Sequence, residues 1–328
     1  MYAFGLSSQD AMFSILSLDD TYLNPANTFN PFYDNSLLKF DLQFRDQWNS
    51  VSNGDTYATA KVHGEYNVYL SQYDAWNVGL FWLSDRSSSN GLKNNNLQLL
   101  GSYTRKLSET RGNNYSHIIT IGGGISFAQT NADLEDLWFG RQFNLNSNFI
   151  DRTLTSGEEF RIDNHSYSSL DGGLRWMYLL EDDNYYMAGL SIAHLNNPTI
   201  EGTNANFSIS PRLLFQAEAH LDLGEGFDHI PGLIFINHGP FWQLSPSYGI
   251  SIDIYSDDNS FSLISGVSAR LINSVNGIMM DAIIFNLGLQ SNTWSFNFNF
   301  DLNSSALKTY TNNNGAIELA LSYSINRD

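Results

Sequence analysis

No cysteine occurs among the 328 residues. That excludes a disulfide scaffold, a thiolate zinc site and a cysteine nucleophile, and leaves the compartment open. Charge is scarce, at 15% of residues, against about 25% in an average soluble domain. Basic charge is scarcer still: 16 Lys+Arg face 34 Asp+Glu, for a net charge of −18. Such a chain lacks the basic surface that displaces counterions from nucleic acid, so that partner class is excluded. Long apolar runs are also missing. Nothing approaches the roughly 18 consecutive apolar residues of a membrane-spanning helix. Membrane strands escape that test, because their lipid-facing and lumen-facing residues alternate and average out. High aromatic content (14%) with a mean hydropathy of −0.26 permits a barrel.

What is abundant is alternation of period two. Leu38, Phe40, Leu42 and Phe44 alternate with Lys39, Asp41, Gln43 and Arg45. Trp294, Phe296, Phe298, Phe300 and Leu302 alternate with Ser295, Asn297, Asn299 and Asp301. A helix would scatter both sets around its circumference. Read this way, the chain predicts strands at 36–45, 56–69, 75–84, 96–107, 117–128, 168–180, 184–194, 211–223, 230–237, 241–255, 260–271, 278–290, 293–302 and 315–326. Alternation is interrupted at 230–237 and 278–290.

Connection lengths carry a second signal. Tight links at 71–74, 181–183, 256–259 and 291–292 alternate with long ones at 46–55, 85–95, 129–167, 195–210 and 303–314. Outer-membrane barrels do this, with short turns at the periplasm and long loops outside. Two links depart from the rule: 108–116 is long for a periplasmic turn and 238–240 is short for an outer loop. Trp76, Trp82, Tyr103, Tyr178, Tyr186, Trp242, Tyr255, Trp294 and Tyr323 fall near strand ends, where aromatic girdles sit. The reading is an all-β fold: a single transmembrane antiparallel β-barrel of about 14 strands. The competing architecture, a soluble β-sandwich, uses strands of about 5–6 residues.

Three regions follow. Residues 1–8 read as a signal-peptide remnant, with an ordinary frayed N-terminus as the alternative. Residues 9–35 form an N-terminal lead or plug segment, and 36–328 the barrel.

Candidate chemistry is thin. Gly124-Ile-Ser126 and Gly189-Leu-Ser191 approach a nucleophile elbow but end in Ala and lie inside strands. Gly122-Gly-Gly124 lacks the Lys-Ser/Thr of a phosphate loop, so a bend or a close approach of other backbone is the better reading. The acidic clusters 133–136, 181–183 and 257–258 match no EF-hand and read as solvated turns. The seven histidines show no His-x₃-His spacing. No catalytic residue, metal or cofactor is assigned. The polar strand faces carry both signs: Lys39, Asp41, Arg45, Lys61, Glu65, Asp171, Arg175, Arg212, Glu218, Asp222, Arg270, Asp281 and Glu318. In a barrel they point into the lumen, and mixed charge suggests paired groups or a plugged interior.

Ordered motifs span nearly the whole chain: Gln9-Asp10-Ala-Met-Phe13-Ser14, Tyr22-Leu-Asn24-Pro25-Ala26, Arg45-Asp46-Gln47-Trp48, His194-Leu-Asn-Asn-Pro198, Leu244-Ser-Pro-Ser-Tyr248-Gly249 and Gly315-Ala-Ile-Glu-Leu-Ala-Leu-Ser-Tyr323. In these the chain resembles the PorP/SprF outer-membrane proteins associated with type IX secretion in Bacteroidota. It departs from them where Asn27-Thr28-Phe29 replaces a glycine after Asn-Pro-Ala. The end, Ile325-Asn-Arg-Asp328, also lacks a terminal aromatic. The resemblance implies a non-enzymatic protein in the outer membrane of a Gram-negative bacterium. It would sit among lipid and lipopolysaccharide, partner type IX secretion or gliding components, and help export or anchor a large secreted adhesin-like protein. Tyr22, Asn24, Pro25, Arg45, Asp46, Gln47 and Trp48 are the candidate structural or partner-binding residues. The alternative function is an outer-membrane transporter for small hydrophobic molecules.

Overall fold

The computed structural model describes residues 10–14, 20–33, 35–48, 57–87, 92–109, 115–132, 143–144, 149–150, 165–180, 184–201, 206–224, 226–256, 259–274, 277–305 and 308–327. The three acidic clusters and residues 1–8 lie outside these. Fourteen antiparallel strands close into one barrel. They are β1 (Ser36–Gln47), β2 (Tyr57–Tyr69), β3 (Asp74–Ser87), β4 (Leu92–Glu109), β5 (Ser116–Ala132), β6 (His165–Leu179) and β7 (Tyr185–Ala193). The second half comprises β8 (Arg212–Asp222), β9 (Asp228–His238), β10 (Phe241–Ser256), β11 (Asn259–Ser274), β12 (Gly277–Gln290), β13 (Trp294–Asn303) and β14 (Asn314–Asn326). Neighbours in sequence are neighbours in the wall, and β1 closes on β14.

All fourteen strands read from the sequence are barrel strands, but several run longer. The strand expected at 96–107 spans Leu92–Glu109, and its partner reaches Ala132. Lys93-Asn-Asn-Asn96 pairs with Ala128–Asn131 through the main-chain ladder and a Thr130 hydroxyl bond to Asn94. Above the bilayer a hairpin needs no apolar face, so alternation stops before pairing does.

The two interrupted strands have structural causes. Between β11 and β12 the register shifts, from Arg270 opposite Ala282 to Leu271 opposite Met280. Asp281 is the extra residue of a bulge, which resets the alternation. In β9, Pro231 has no N–H to donate. The β8 ladder accordingly skips from Glu218–Gly232 to Leu221–His229.

The faces are inverted relative to a soluble protein. On β1, Phe40, Leu42 and Phe44 are each about half exposed, while Gln43 and Arg45 are buried. Outward apolar side chains form the band that lipid covers. Aromatic contacts ring the short-turn end: Trp76 with Tyr103, Trp176 stacked on Tyr178, and Phe261 with Trp294. Trp242 packs on Phe235 near the opposite rim. The side chain of Tyr255 lies outside those described.

Residues 10–14 and 20–33 lie inside the barrel. Phe13, Tyr22 and Leu23 are buried among inward side chains such as Phe81, Leu83, Leu100 and Leu214, and Phe29 is buried as well. A one-turn helix, Lys308–Thr311, sits in the link between β13 and β14.

Candidate functional site

The inner segment and the wall it touches form the candidate site. At the long-loop end, strand geometry brings Arg45 (β1), Arg270 (β11), Asp301 (β13) and Glu318 (β14) together around Ser14. Arg45 pairs with Asp301 at 3.1 Å and with Glu318 at 3.2 Å. Arg270 reaches the same oxygen of Asp301 at 3.1 Å. Ser14 donates its N–H to Glu318 (2.6 Å) and its hydroxyl to Asp301 (2.7 Å). Both guanidinium groups donate to the Ser14 hydroxyl oxygen. The Gln43 amide holds the other Glu318 oxygen at 2.6 Å. Glu318 is fully buried. Arg270 also pairs with Asp281 at 3.3 Å, and such mutual pairing of cations and carboxylates is how charge is kept in a low-dielectric interior. A register shift between Phe300 and Leu302 accompanies Asp301. The extra residue lies on β14, opposite Asp301, and a side chain at Gly315 would collide with the Asp301 backbone, so this bulge requires glycine.

A second ionic group fixes the start of the segment. Asp10 pairs with Arg212 at 2.8 Å and with His194 at 3.1 Å. Burial opposes ionisation of Asp10, but Arg212 and His194 outweigh it and hold the carboxyl well below the usual range. Arg212 also donates to the Tyr22 carbonyl at 2.8 Å and lies over the Tyr22 ring. Burial pushes the Tyr22 phenol up. Lower in the lumen Lys61 pairs with Asp20 at 2.7 Å.

Mid-lumen, the wall is carved to receive backbone. A side chain at Gly122 would meet the Pro25 carbonyl, and one at Gly173 would meet Asn24. Asn24 is fully buried, donates to the Leu174 carbonyl at 3.3 Å, and accepts the Ala26 N–H at 2.9 Å. Ser191 donates to the Leu23 carbonyl at 2.7 Å. Asn27 and Gln216 exchange two amide bonds, at 3.0 and 2.8 Å.

The rest of the lumen is open. A cavity of about 1030 Å³ lies between the inner segment and the wall that runs from β7 through β14 to β1 and β2, toward the short-turn end. Ser245, Ser251, Ser268, Asn286, Asn297 and Asn299 are among its lining.

A family model for the type IX secretion system membrane protein PorP/SprF matches residues 6–323. The chain belongs to the PorP/SprF family. The fold of this PorP/SprF chain is shared with solved outer-membrane barrels at low identity. The toluene transporter TodX of P. putida is 11% identical, with a TM-score of 0.50 over 93% of this chain and 92% of that one. The toluene transporter TbuX of Ralstonia pickettii is 10% identical, with a TM-score of 0.51 over 94% and 93%. The monoaromatic hydrocarbon channel CymD is 11% identical, with a TM-score of 0.51 over 95% and 94%. No curated protein matches the sequence. Family and fold together place the protein in the outer membrane.

The structure divides the sequence-derived PorP/SprF candidates into three places. Tyr22, Asn24 and Pro25 lie inside the barrel against β5, β6 and β8. Arg45 and Gln47 face inward at the long-loop end of β1, joined at 3.3 Å. Asp46 sits between them, opposite Ala58 and Ile317 in the ladders. Trp48 leaves the strand with a left-handed backbone (φ 62°), donates its N–H to the Gly315 carbonyl at 2.9 Å, and packs edge-on against Tyr57. Sequence reading missed Ser14, Asp301, Gln43 and Gln216 as partners. Asp301 stood in the alternation of 293–302, but nothing in one sequence says which polar residues of separate strands meet.

Proposed function

We propose that this barrel works with the type IX secretion system as a surface partner, helping to export or anchor a large secreted protein, and that it is not an enzyme. Residues 10–33 act as a plug in this reading. The observation that carries it is the occupied lumen: the inner segment is bonded to β1, β2, β4, β6, β7, β8, β11, β13 and β14, which leaves beside it a cavity of about 1030 Å³ and no passage wide enough for a folded exported protein. The partner is then held by the long links, of which 133–164 is the largest. Long loops lie outside in such barrels and carry contacts that a lipid-covered wall cannot.

The hydrocarbon-transporter reading draws on the barrels that share the fold. The serine- and asparagine-rich cavity weighs against it, since a path for apolar solutes is lined mainly by apolar side chains. Deletion of the gene should strip one secreted protein from the cell surface in a surface proteome, with general permeability little changed. Trimming 133–164 to a short turn should leave a folded barrel that no longer retains that protein. An unchanged surface proteome with reduced uptake of a small hydrophobic solute would instead support the transporter.

A further inference from the structure

We infer that Asp10, His194 and His238 form a binding site for one divalent transition-metal ion of the zinc type, which clamps the start of the inner segment to the long-loop rim. One ligand atom from each lies within 4.8 Å of the others. The residues come from three separate places: the inner segment, the residue after β7, and the last residue of β9.

The histidines are oriented as ligands are. The His238 side chain is buried and its Nε2 makes no hydrogen bond. The other ring nitrogen is left to bond the backbone of Ser210. Donation from Nδ1 to a carbonyl fixes the tautomer in which Nε2 carries a lone pair. His194 repeats the pattern through side chains. Its Nδ1 lies 2.8 Å from the Ser169 hydroxyl, which donates to Asp171 at 3.1 Å. Its backbone N–H donates to the same Asp171 oxygen at 2.9 Å. Metal-bound histidines are held by such carboxylate and carbonyl partners behind the ring. His194 also has a left-handed backbone (φ 58°), an uncommon conformation for a residue with a side chain, and here it turns the ring inward.

Both Asp10 oxygens lie 3.1 Å from His194 Nε2. Ligands about 2.0–2.2 Å from a tetrahedral metal stand roughly 3.3–3.5 Å apart, so this pair is close to metal-ready spacing. His238, its ring stacked near His194 with centroids 5.8 Å apart, must swing in slightly. Arg212 does not block the site. It takes one Asp10 oxygen and leaves lone pairs on the other. Two imidazoles and one carboxylate suit zinc or cobalt rather than calcium or magnesium, which take oxygen ligands. A second cluster, Asp41, His63 and Glu65, has the same spacing. There both His63 ring nitrogens are taken, Nδ1 by Asp41 and Nε2 by Thr21, so no imidazole lone pair is presented as it is at His238.

The test uses the full-length barrel in detergent, stripped with chelator and titrated with Co²⁺. One equivalent should bind with tetrahedral visible bands, and Zn²⁺ should displace it. His238→Gln should weaken binding by more than about a hundredfold, Ser169→Ala by about tenfold, and His63→Gln not at all. Heat-dependent gel mobility reports whether each variant is folded. A second measurement needs no variant: Zn²⁺ should slow proteolysis of the N-terminal segment of the wild-type protein, and EDTA should reverse this. No stoichiometric binding, binding that survives His238→Gln but falls with His63→Gln, or proteolysis indifferent to Zn²⁺ would overturn the site.

Discussion

The two sides of the lumen are built differently. From β1 to β8 the wall meets the inner segment with long charged side chains and glycine seats. From β10 to β14, below the Arg45 cluster, it presents mostly serine and asparagine to a cavity, which charged residues of β1, β2 and β8 close from the other side. A charged group buried without a partner is costly, so charge is concentrated where the inner segment or a neighbouring strand can answer it. Small hydroxyl and amide groups facing an open cavity are satisfied by water and need no protein partner. One side therefore grips, and the other only lines.

Substitutions should separate gripping from lining. Arg45→Ala removes a guanidinium from between Asp301 and Glu318. Leaving buried carboxylates under-compensated should cost about 3–5 kcal/mol, read as a lower urea midpoint for the folded barrel. An unchanged midpoint would mean the cluster is not buried in the membrane-embedded protein. Gly122→Val places methyl groups where the Pro25 carbonyl lies. Overpacking of this kind should cost about 1–3 kcal/mol, and limited proteolysis should then cut within 10–33. Asn27→Ala deletes both amide bonds to Gln216, for an expected loss of about 1–2 kcal/mol. A double-mutant cycle with Gln216→Ala would show whether the two act as a pair. On the other side, Ser268→Ala should shift stability by no more than about 0.5 kcal/mol. A loss near that of Asn27→Ala would show that the cavity wall also makes fixed contacts.

The legibility of these features also differed. Arg45 could be placed on the inward face because Phe44 and Leu42 claim the outward one, and the same parity turns Lys61, Glu65 and Glu318 inward. The glycines at 122–124 could be read as a place of close approach, but not as the seat of Asn24 and Pro25. Their partner lies about a hundred residues away, and no local pattern encodes that distance. His194 and His238 showed no metal-like spacing because the ligand set is assembled across the lumen from three segments.

Strand number, the inside and outside of the wall, and the alternation of long and short links were all determined by sequence alone. Each is a local consequence of period two: a side chain's face depends only on its parity, and parity is visible in the neighbouring residues. Closure of β1 on β14, the bulges at Asp281 and beside Gly315, and the company kept by each inward charge were decided only in the tertiary structure. These depend on which strands stand opposite one another across a closed ring and on a segment threaded through it, contacts between residues as distant as Ser14 and Glu318.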